Sequence, residues 1–439
     1  MGIFTKRMGV FVALGLLLTL SLLPSCSCTR TEQPPQPEPQ NWYDDLVFED
    51  ASNSFELARA VGYSYSGGAD VGECLATARR IKKADDQSWY DEWLATADRL
   101  YEFAQKMEQE GSVVSAREAY FRASNYYRVA GFYMHSKANR PKSLESWRKS
   151  VDSFSKAISS LTYIEPIRIP YEDNTTLPGY FIKAESSGQT PPLLIVHTGF
   201  DGTAEELYFE VGFAAVKRGY NCLLFEGPGQ GEVIREQNIP FRYDWEKVVS
   251  RVVDYAVTRP DVDENRIALM GISLGGYLCT RAAAFEPRIT ACVADGGVFD
   301  ASGNIFKLFP PKVAALLETN PEEFNSEIEE GMKQDTTVRW FFDNGMWTFG
   351  AESPTKVMLK LRDYTLKDVV KNIKCNMLVL DSEDDMFYKG QAKHLYDELD
   401  CPKDYIMFTK LETAQAHCQM GAIAISNEVT FNWLDKIFA

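Results

Sequence analysis

The sequence Gly271-Ile272-Ser273-Leu274-Gly275 constrains the fold of this 439-residue chain more than any other feature. It follows an apolar run at residues 267–270 that is typical of a buried strand, and it precedes a helical stretch at residues 276–284. A strand–turn–helix of this kind is so tight that the backbone of the central serine is strained and its neighbours must be small. The pattern therefore predicts Ser273 as a nucleophile at the N-terminus of a helix, where free N–H groups favour a developing negative charge.

Short apolar runs alternate with helical stretches over the C-terminal part of the chain. The runs cover residues 164–169, 193–196, 222–225, 267–270, 291–294 and 377–380. This alternation favours a mostly parallel sheet with helices on both faces. Residues 298–372 are rich in aromatic residues and helix formers, so we expect a helical lid there and not a structureless loop.

The N-terminal part of the chain has a different pattern. Residues 42–162 carry apolar and aromatic side chains at helical spacing, which predicts a helical domain ahead of the sheet domain at residues 163–439. Residues 29–41 are polar and rich in proline, as is typical of a tether that buries no core. We interpret the aromatic residues of the helical domain as core between helices; the alternative is that some of them roof a substrate pocket.

Residues 1–28 have the pattern of an export signal. A basic start is followed by an apolar run that is too short to predict a membrane-spanning helix. The run ends in Leu-Pro-Ser-Cys at residues 23–26, which resembles a bacterial lipoprotein cleavage box. We therefore expect an exported protein anchored through a lipid on Cys26 in the periplasm or outer membrane of a bacterial cell envelope. The alternatives are an ordinary secretory signal, an uncleaved anchor, and lipidation at Cys28.

A serine nucleophile needs a base, and the chain contains four histidines. In the arrangement built on this kind of turn, the acid and then the histidine follow the serine along the chain, which leaves His394 and His417. His394 falls in a helical stretch after the last clear strand, and we interpret it as an exposed helix residue. His417 falls in a short loop before a terminal helix, so the sequence predicts His417 as the base.

The acid that orients the histidine is expected just after the strand at residues 377–380. Four carboxylates follow that strand: Asp381, Glu383, Asp384 and Asp385. A position a few residues beyond the end of the strand favours Asp385, with Asp384 as the alternative. The remaining carboxylates are interpreted as a solvated acidic turn.

Two N–H donors are needed for the substrate oxygen that becomes negatively charged. One is expected from Leu274, directly after the serine, and the other from the loop at residues 197–203, which follows an early strand. Gly199 in this loop lets the backbone approach an oxygen closely. Gly199 or Phe200 is therefore the predicted second donor.

Composition and missing motifs narrow the range of partners. The net charge of −16 opposes binding to nucleic acid phosphates and anionic lipid heads, so the only membrane contact we expect is the lipid anchor. No C-x-x-C pair with matching histidines occurs, and the glycine-rich residues 225–231 lack the lysine of a phosphate-binding loop, so we expect no metal and no cofactor.

Two of the nine cysteines belong to the signal region; the other seven are interpreted as buried free thiols.

Several motifs taken together carry a family resemblance. They are residues 122–128, 197–203, 225–231 and 271–277, and the late His417. With these motifs, residues 85–439 resemble the α/β-hydrolases that carry an N-terminal helical domain, the group of FrsA-like esterases and 2,6-dihydroxypseudooxynicotine hydrolase. The resemblance implies an α/β-hydrolase fold, a triad of Ser273, Asp385 and His417, and an active site covered by the helical domain and the lid. Known members of the group split esters or carbon–carbon bonds beside a ketone.

The expected function is a serine hydrolase that acts on a small apolar or aromatic substrate through an acyl-enzyme. The bond is an ester or another activated carbonyl, with a C–C bond beside a ketone as a variant. One alternative is an exported peptidase of the acylaminoacyl or dipeptidyl kind, which the helical N-terminal part disfavours because such enzymes usually carry a β-propeller there. The other is a catalytically dead, lipid-anchored binding protein, which the ordered presence of all three triad residue types disfavours.

Overall fold

A mixed sheet organises the chain. The computed structural model describes residues 42–43, 46–185, 188–305 and 309–439, without the side chain of residue 304, so the predicted lipidation site Cys26 lies outside the described residues. Within them, eight strands form one sheet: β1 (Ile164–Pro170), β2 (Thr176–Ile182), β3 (Leu193–His197), β4 (Asn221–Phe225), β5 (Ile267–Ile272), β6 (Ala291–Asp295), β7 (Asn376–Ser382) and β8 (Lys403–Phe408).

The order of the strands places the ends of β3 and β5 side by side. The sheet runs β1-β2-β4-β3-β5-β6-β7-β8, with β1 and β2 antiparallel and the strands from β3 to β8 parallel to one another. His197 at the end of β3 is paired with Gly271 near the end of β5. The loops that follow these two strands therefore meet at one edge of the sheet, which is where sheets of this kind place their sites.

Helices precede and flank this sheet. The described residues ahead of it form α1 (Ala51–Gly62), α2 (Val71–Ala78), α3 (Asp86–Gln109), α4 (Val113–Gly131) and α5 (Arg140–Ile158). Next to the sheet lie α6 (Ala204–Leu207), α7 (Phe213–Lys217), α8 (Gly231–Arg235), α9 (Glu246–Ala256) and α10 (Leu274–Ala283). A π-helical turn at Tyr208–Gly212 joins α6 to α7. The expected N-terminal helical region and the α/β-hydrolase fold are both confirmed.

A helical segment connects β6 to β7, as the sequence predicts. It contains α11 (Ala301–Ile305), α12 (Pro311–Thr319), α13 (Pro321–Gln334), α14 (Thr336–Thr348) and α15 (Pro354–Leu361). Two more helices follow β7, namely α16 (Gln391–Glu398) and the C-terminal α17 (Ile423–Phe438). Arg339 of α14 forms an ion pair with Asp86 of α3, and the rings of Trp340 and Phe132 stack at 5.5 Å. The lid thus rests on the N-terminal helices. None of the helices in the described residues has the length and apolar character needed to cross a bilayer.

Candidate active site

Ser273 occupies the tight turn between β5 and α10. Its φ of 62° and ψ of −125° lie in a region that residues other than glycine rarely adopt. A Cβ on Gly271 would come within 2.1 Å of the carbonyl oxygen of Gly275, so the turn has no room for a side chain there. The backbone N–H of Ser273 donates to the carbonyl of Asp295 at 2.9 Å. The strained turn expected from the sequence is present, and it places the serine at the start of a helix.

Ser273, His417 and Asp385 form a continuous chain of hydrogen bonds. His417 Nε2 lies 2.8 Å from Ser273 Oγ, and His417 Nδ1 lies 2.8 Å from Asp385 Oδ2. Asp385 Oδ1 accepts the backbone N–H groups of Phe387 and Tyr388, each at 2.8 Å. Burial would raise the pKa of the Asp385 carboxyl, but His417 and these two N–H groups bring it below its ordinary value. Asp385 is therefore ionised at neutral pH, and a proton on Nδ1 leaves Nε2 free to accept from the serine.

The competing candidates for acid and base lie elsewhere. Asp384 Oδ2 forms an ion pair with Lys410 at 3.2 Å, and Asp381 Oδ2 accepts from the hydroxyl of Tyr405 at 2.7 Å. His394 is exposed on α16, as the sequence predicts. Of the acid candidates, Asp385 is the one that contacts His417.

The predicted oxyanion donors lie directly beside the serine. A Cβ on Gly199 would be 2.8 Å from the Leu274 nitrogen and 2.9 Å from Ser273 Cβ, so the loop backbone touches the turn. Leu274 is the first residue of α10, and its N–H is one of those that have no acceptor inside the helix. The geometry brings Leu274, Gly199 and Phe200 to one place, while their use as donors stays a prediction.

Two amide side chains that the sequence analysis did not single out hold this loop in place. Gln230 Nε2 donates to the carbonyl oxygens of Thr198 at 2.6 Å and Gly199 at 3.1 Å. Asn344 Nδ2, from the lid, donates to the carbonyl of Phe200 at 3.0 Å. Because the C=O and N–H of a trans peptide point in opposite directions, holding the Gly199 carbonyl turns the Phe200 N–H away from Gln230. The only sequence signal was a glutamine inside the glycine-rich turn at residues 225–231.

Aromatic rings form a large part of the lining of the pocket at Ser273. These rings belong to Phe55, Phe132, Phe200, Trp340, Phe341, Phe387 and Tyr388. Phe55 lies on α1, Phe132 directly follows α4, and Trp340 lies on the lid helix α14. The interpretation of the N-terminal aromatic residues as core holds for Tyr126 and Tyr127, which are buried in the core, whereas Phe55 and Phe132 line the pocket.

A buried network of charged side chains joins α1 to the loop beside Ser273. Arg59 donates to both carboxylate oxygens of Glu206 at 2.7 Å and to Asp201 at 3.2 Å. Arg128 pairs with Glu56 at 2.8 Å and with Glu206 at 3.3 Å. Burial alone would raise the pKa of Glu206, but the two arginines bring it below its ordinary value. Because Arg59 and Glu206 are 147 residues apart, no local sequence pattern could pair them.

Two further acids lie close to Ser273 or its pocket, and burial raises the pKa of both. Glu210, in the π-helical turn, lines the pocket, and its Oε1 is buried without a partner in the part of the chain that the structure describes. Burial and the neighbouring Glu206 raise the pKa of Glu210 well above its ordinary value, which favours the protonated carboxyl. Burial also raises the pKa of Asp295, to about 6. Neither was a candidate from the sequence, because burial of a carboxyl depends on the fold.

The cysteines of the described residues are free thiols. All are buried except Cys375, which is half-buried, and Cys418 Sγ lies 3.4 Å from His417 Nε2. Burial and neighbouring acids raise the pKa of the Cys418 thiol well above its ordinary value. Over the same residues, no group of three potential metal ligands comes together.

Comparisons with known proteins place the chain among hydrolases. A family model described as an alpha/beta hydrolase family matches residues 193–407. A Fusarium protein named as a hydrolase is 34% identical over 412 residues, which is 89% of this chain and 98% of that protein. A 20-hydroxy-prefusarin hydrolase of Gibberella moniliformis is 32% identical over 90% of this chain and 98% of its own length. The crystal structure of a 2,6-dihydroxy-pseudo-oxynicotine hydrolase has a TM-score of 0.68 at 21% identity, over 86% of this chain and 95% of that one. These curated relatives are fungal and lend no support to a bacterial lipoprotein.

Proposed function

This chain belongs to the alpha/beta hydrolase family, and from that premise we propose that it is a serine hydrolase that cleaves an ester or another activated carbonyl bond through an acyl-enzyme. The observation that carries the proposal is the chain of hydrogen bonds from Ser273 through His417 to Asp385 at an aromatic pocket. A buried carboxylate behind an imidazole is the arrangement that makes a serine hydroxyl nucleophilic.

In the proposed reaction, Ser273 Oγ attacks the substrate carbonyl carbon while its proton passes to His417 Nε2. The carbonyl oxygen becomes an oxyanion that accepts the N–H groups of Leu274 and Phe200 or Gly199. Asp385 holds Nδ1–H and stabilises the imidazolium that forms. His417 then gives its proton to the leaving group, and a water molecule, deprotonated by the same histidine, releases the acyl group from Ser273.

The pocket supports a small apolar or aromatic acyl group as the substrate. The aromatic rings of the lining offer apolar surface, and burial of such surface contributes about 25 cal/mol per Å² to binding. The charged groups on the wall are already satisfied, since the Arg59 guanidinium is occupied by Glu206 and Asp201. An uncharged acyl group therefore fits this pocket better than an ionic one.

Glu210 favours a second candidate reaction, cleavage of a C–C bond beside a ketone. A carbon leaving group departs as an enolate, which needs a hydrogen-bond donor on its oxygen. Glu210 lines the pocket, its raised pKa favours the protonated form, and a carboxyl that keeps its proton can donate in this way. In this reaction the C–C bond breaks to leave the acyl group on Ser273, Glu210 donates to the enolate oxygen, and His417 gives its proton to the enolate carbon.

Covalent labelling tests the activated serine, and a pair of substrates distinguishes the two reactions. A fluorophosphonate probe is expected to label the full-length protein and to leave Ser273→Ala unlabelled; no label on a folded wild type contradicts the proposal. With labelling established, Glu210→Gln is expected to turn over 4-nitrophenyl butyrate at close to the wild-type rate. If the enzyme also cleaves a 1,3-diketone, the same variant is expected to lose that activity by about tenfold or more.

The location of the enzyme is a separate part of the proposal. The proposed lipid anchor on Cys26 rests on the order of residues 23–26 alone. Labelling of bacterial cells that express the full chain with a palmitate analogue is expected to mark the wild type and not Cys26→Ala. An unlabelled wild type rules the anchor out, and label retained on Cys26→Ala moves the site to Cys28.

A further inference from the structure

A second cavity lies between the N-terminal helices and the start of α6, next to the active-site pocket. Its polar lining consists of Arg128, His135, Ser143, Ser146, Asp201, Thr203 and Arg235, and Trp147 adds an indole. Phe132 and Asp201 line both cavities. The second cavity therefore adjoins the substrate pocket without containing Ser273.

Three nitrogen atoms of these lining residues are buried without a partner among the described residues. They are His135 Nδ1, Trp147 Nε1 and Arg235 Nε. The Trp and Arg nitrogens can only donate. Burial, with Arg235 and Arg140 nearby, lowers the pKa of His135 to about 3, so its imidazole is neutral and has one N–H. The tautomer that carries this proton on Nδ1 makes Nδ1 the third donor. A buried donor without an acceptor costs about 1–3 kcal/mol, so three such donors around one cavity indicate a missing acceptor.

The charge of Arg235 is also uncompensated. Its guanidinium donates to the Gly231 carbonyl at 3.1 Å and lies over the rings of Trp147 and Trp347, and it forms no ion pair within the described residues. Three acids act on it from a longer distance.

These three acids leave the positive charge in place. Burial raises the pKa of Glu226 to about 8, so this acid is largely neutral near pH 7, and burial raises the pKa of Glu205 as well. The third acid, Asp201, is held by Arg59 at 3.2 Å. Arg128, the other arginine of the cavity, is already paired with Glu56 and Glu206. The residues that line the cavity therefore carry one positive charge without an ion pair and three buried nitrogen atoms without a partner among the described residues.

We propose that the second cavity binds a small carboxylate-type anion, held by Arg235, Trp147 and His135. A carboxylate has about four acceptor positions and one negative charge, which matches the donors and the charge together. A water molecule accepts about two hydrogen bonds and carries no charge, so it satisfies only part of the set. The anion is either a free carboxylate ion or a carboxylate arm of a substrate whose reacting carbonyl lies in the adjoining pocket.

Calorimetric titration of the full-length protein with acetate, at low ionic strength, tests the binding. Saturable binding of one acetate per chain is expected in the wild type, with affinity about tenfold weaker in Arg235→Gln and several-fold weaker in Trp147→Phe. The matched control is Arg148→Gln, because Arg148 is exposed and already paired with Glu236 at 2.8 Å, and its affinity is expected to be unchanged. The absence of saturable binding by the folded wild type overturns the proposal, as does unchanged affinity in both cavity variants.

Two ester substrates distinguish a free carboxylate ion from a carboxylate arm of the substrate. Only this second experiment rests on the proposed hydrolase activity. If the substrate supplies the carboxylate, Arg235→Gln raises KM about tenfold for the succinate monoester of nitrophenol and leaves KM unchanged for the butyrate ester. If a free ion occupies the cavity, both esters are affected alike and acetate alters the wild-type rate. Failure to turn over either ester counts against the proposed function, while the titration still decides whether the cavity binds an anion.

Discussion

Replacement of Asp385 by asparagine is expected to remove most of the activity while preserving the fold. Asparagine has the same shape, so its Oδ1 can still accept the N–H groups of Phe387 and Tyr388. Asp385 Oδ2, which lies 2.8 Å from His417 Nδ1, is replaced by an amide nitrogen that donates. His417 must then accept at Nδ1 and carry its proton on Nε2, where it can no longer take the proton of Ser273.

The size of the effect follows from this change of tautomer. Loss of the correct tautomer in a serine protease triad lowers kcat by about 10⁴-fold, which corresponds to about 5 kcal/mol of transition-state stabilisation. The free energy of unfolding should change far less, because the asparagine stays hydrogen-bonded and fills the same volume. We therefore expect kcat to fall by about 10⁴-fold and KM to stay close to the wild-type value.

Hydrolysis of 4-nitrophenyl butyrate, followed with purified variants of confirmed melting temperature, measures this effect. The matched control is Asp384→Asn, which removes the carboxylate beside Lys410 and leaves His417 untouched, so its rate is expected to stay within about threefold of the wild type. An Asp385→Asn rate within tenfold of the wild type would refute the role of Asp385 as the orienting acid. A large loss in Asp384→Asn alone would transfer that role to Asp384.

Three further substitutions test other parts of the site. Gly199→Ala places a Cβ 2.6 Å from the Ile272 carbonyl and should lower kcat/KM for the same ester by about 10²-fold or more, because it displaces an oxyanion donor. Gln230→Ala leaves two buried carbonyls without their donor, so urea unfolding should show a loss of about 2 kcal/mol, accompanied by a lower kcat. Asp295 has a folded-state pKa of about 6, above its unfolded value, so the wild type should lose stability as the pH rises from about 4 to 6. Asp295→Asn should flatten that part of the profile of unfolding free energy against pH; an unchanged slope would contradict the pKa assignment.

The sequence predicts those candidate site residues that are marked by a local motif or by their place in a fixed order along the chain. Ser273 is marked by the glycines of its turn, and His417 and Asp385 by their positions after strands in a fixed chain order. The strands at residues 193–196, 222–225, 267–270, 291–294 and 377–380 are visible because a parallel sheet buried on both faces requires continuous apolar runs. The turn and each strand are short local signals, and the fixed chain order adds the long-range information that selects His417 and Asp385.

The residues that the sequence does not locate depend on contacts between distant segments. Gln230 and Asn344 hold the loop beside Ser273 from two different regions, and nothing in their own surroundings marks them. In the sequence, Arg59 is an ordinary basic residue of an amphipathic helix, and only the fold brings Glu206 into contact with it. The raised pKa of Glu210 likewise results from burial, which the order of residues along the chain does not reveal.

The helix α1 supplies Ser52, Phe55 and Arg59 to the wall of the pocket, although it lies far outside the residues 193–407 that the family model covers. If the pocket at Ser273 is the active site proposed above, substrate preference depends partly on a helix that precedes the residues covered by the family model. A change of substrate could then arise from substitutions in α1 and at Phe132, while Ser273 and its hydrogen-bond partners stay unchanged. For protein engineering, libraries that vary residues 52 and 55 are the natural starting point, and excision of the N-terminal helices would leave a reaction centre open to water on one side.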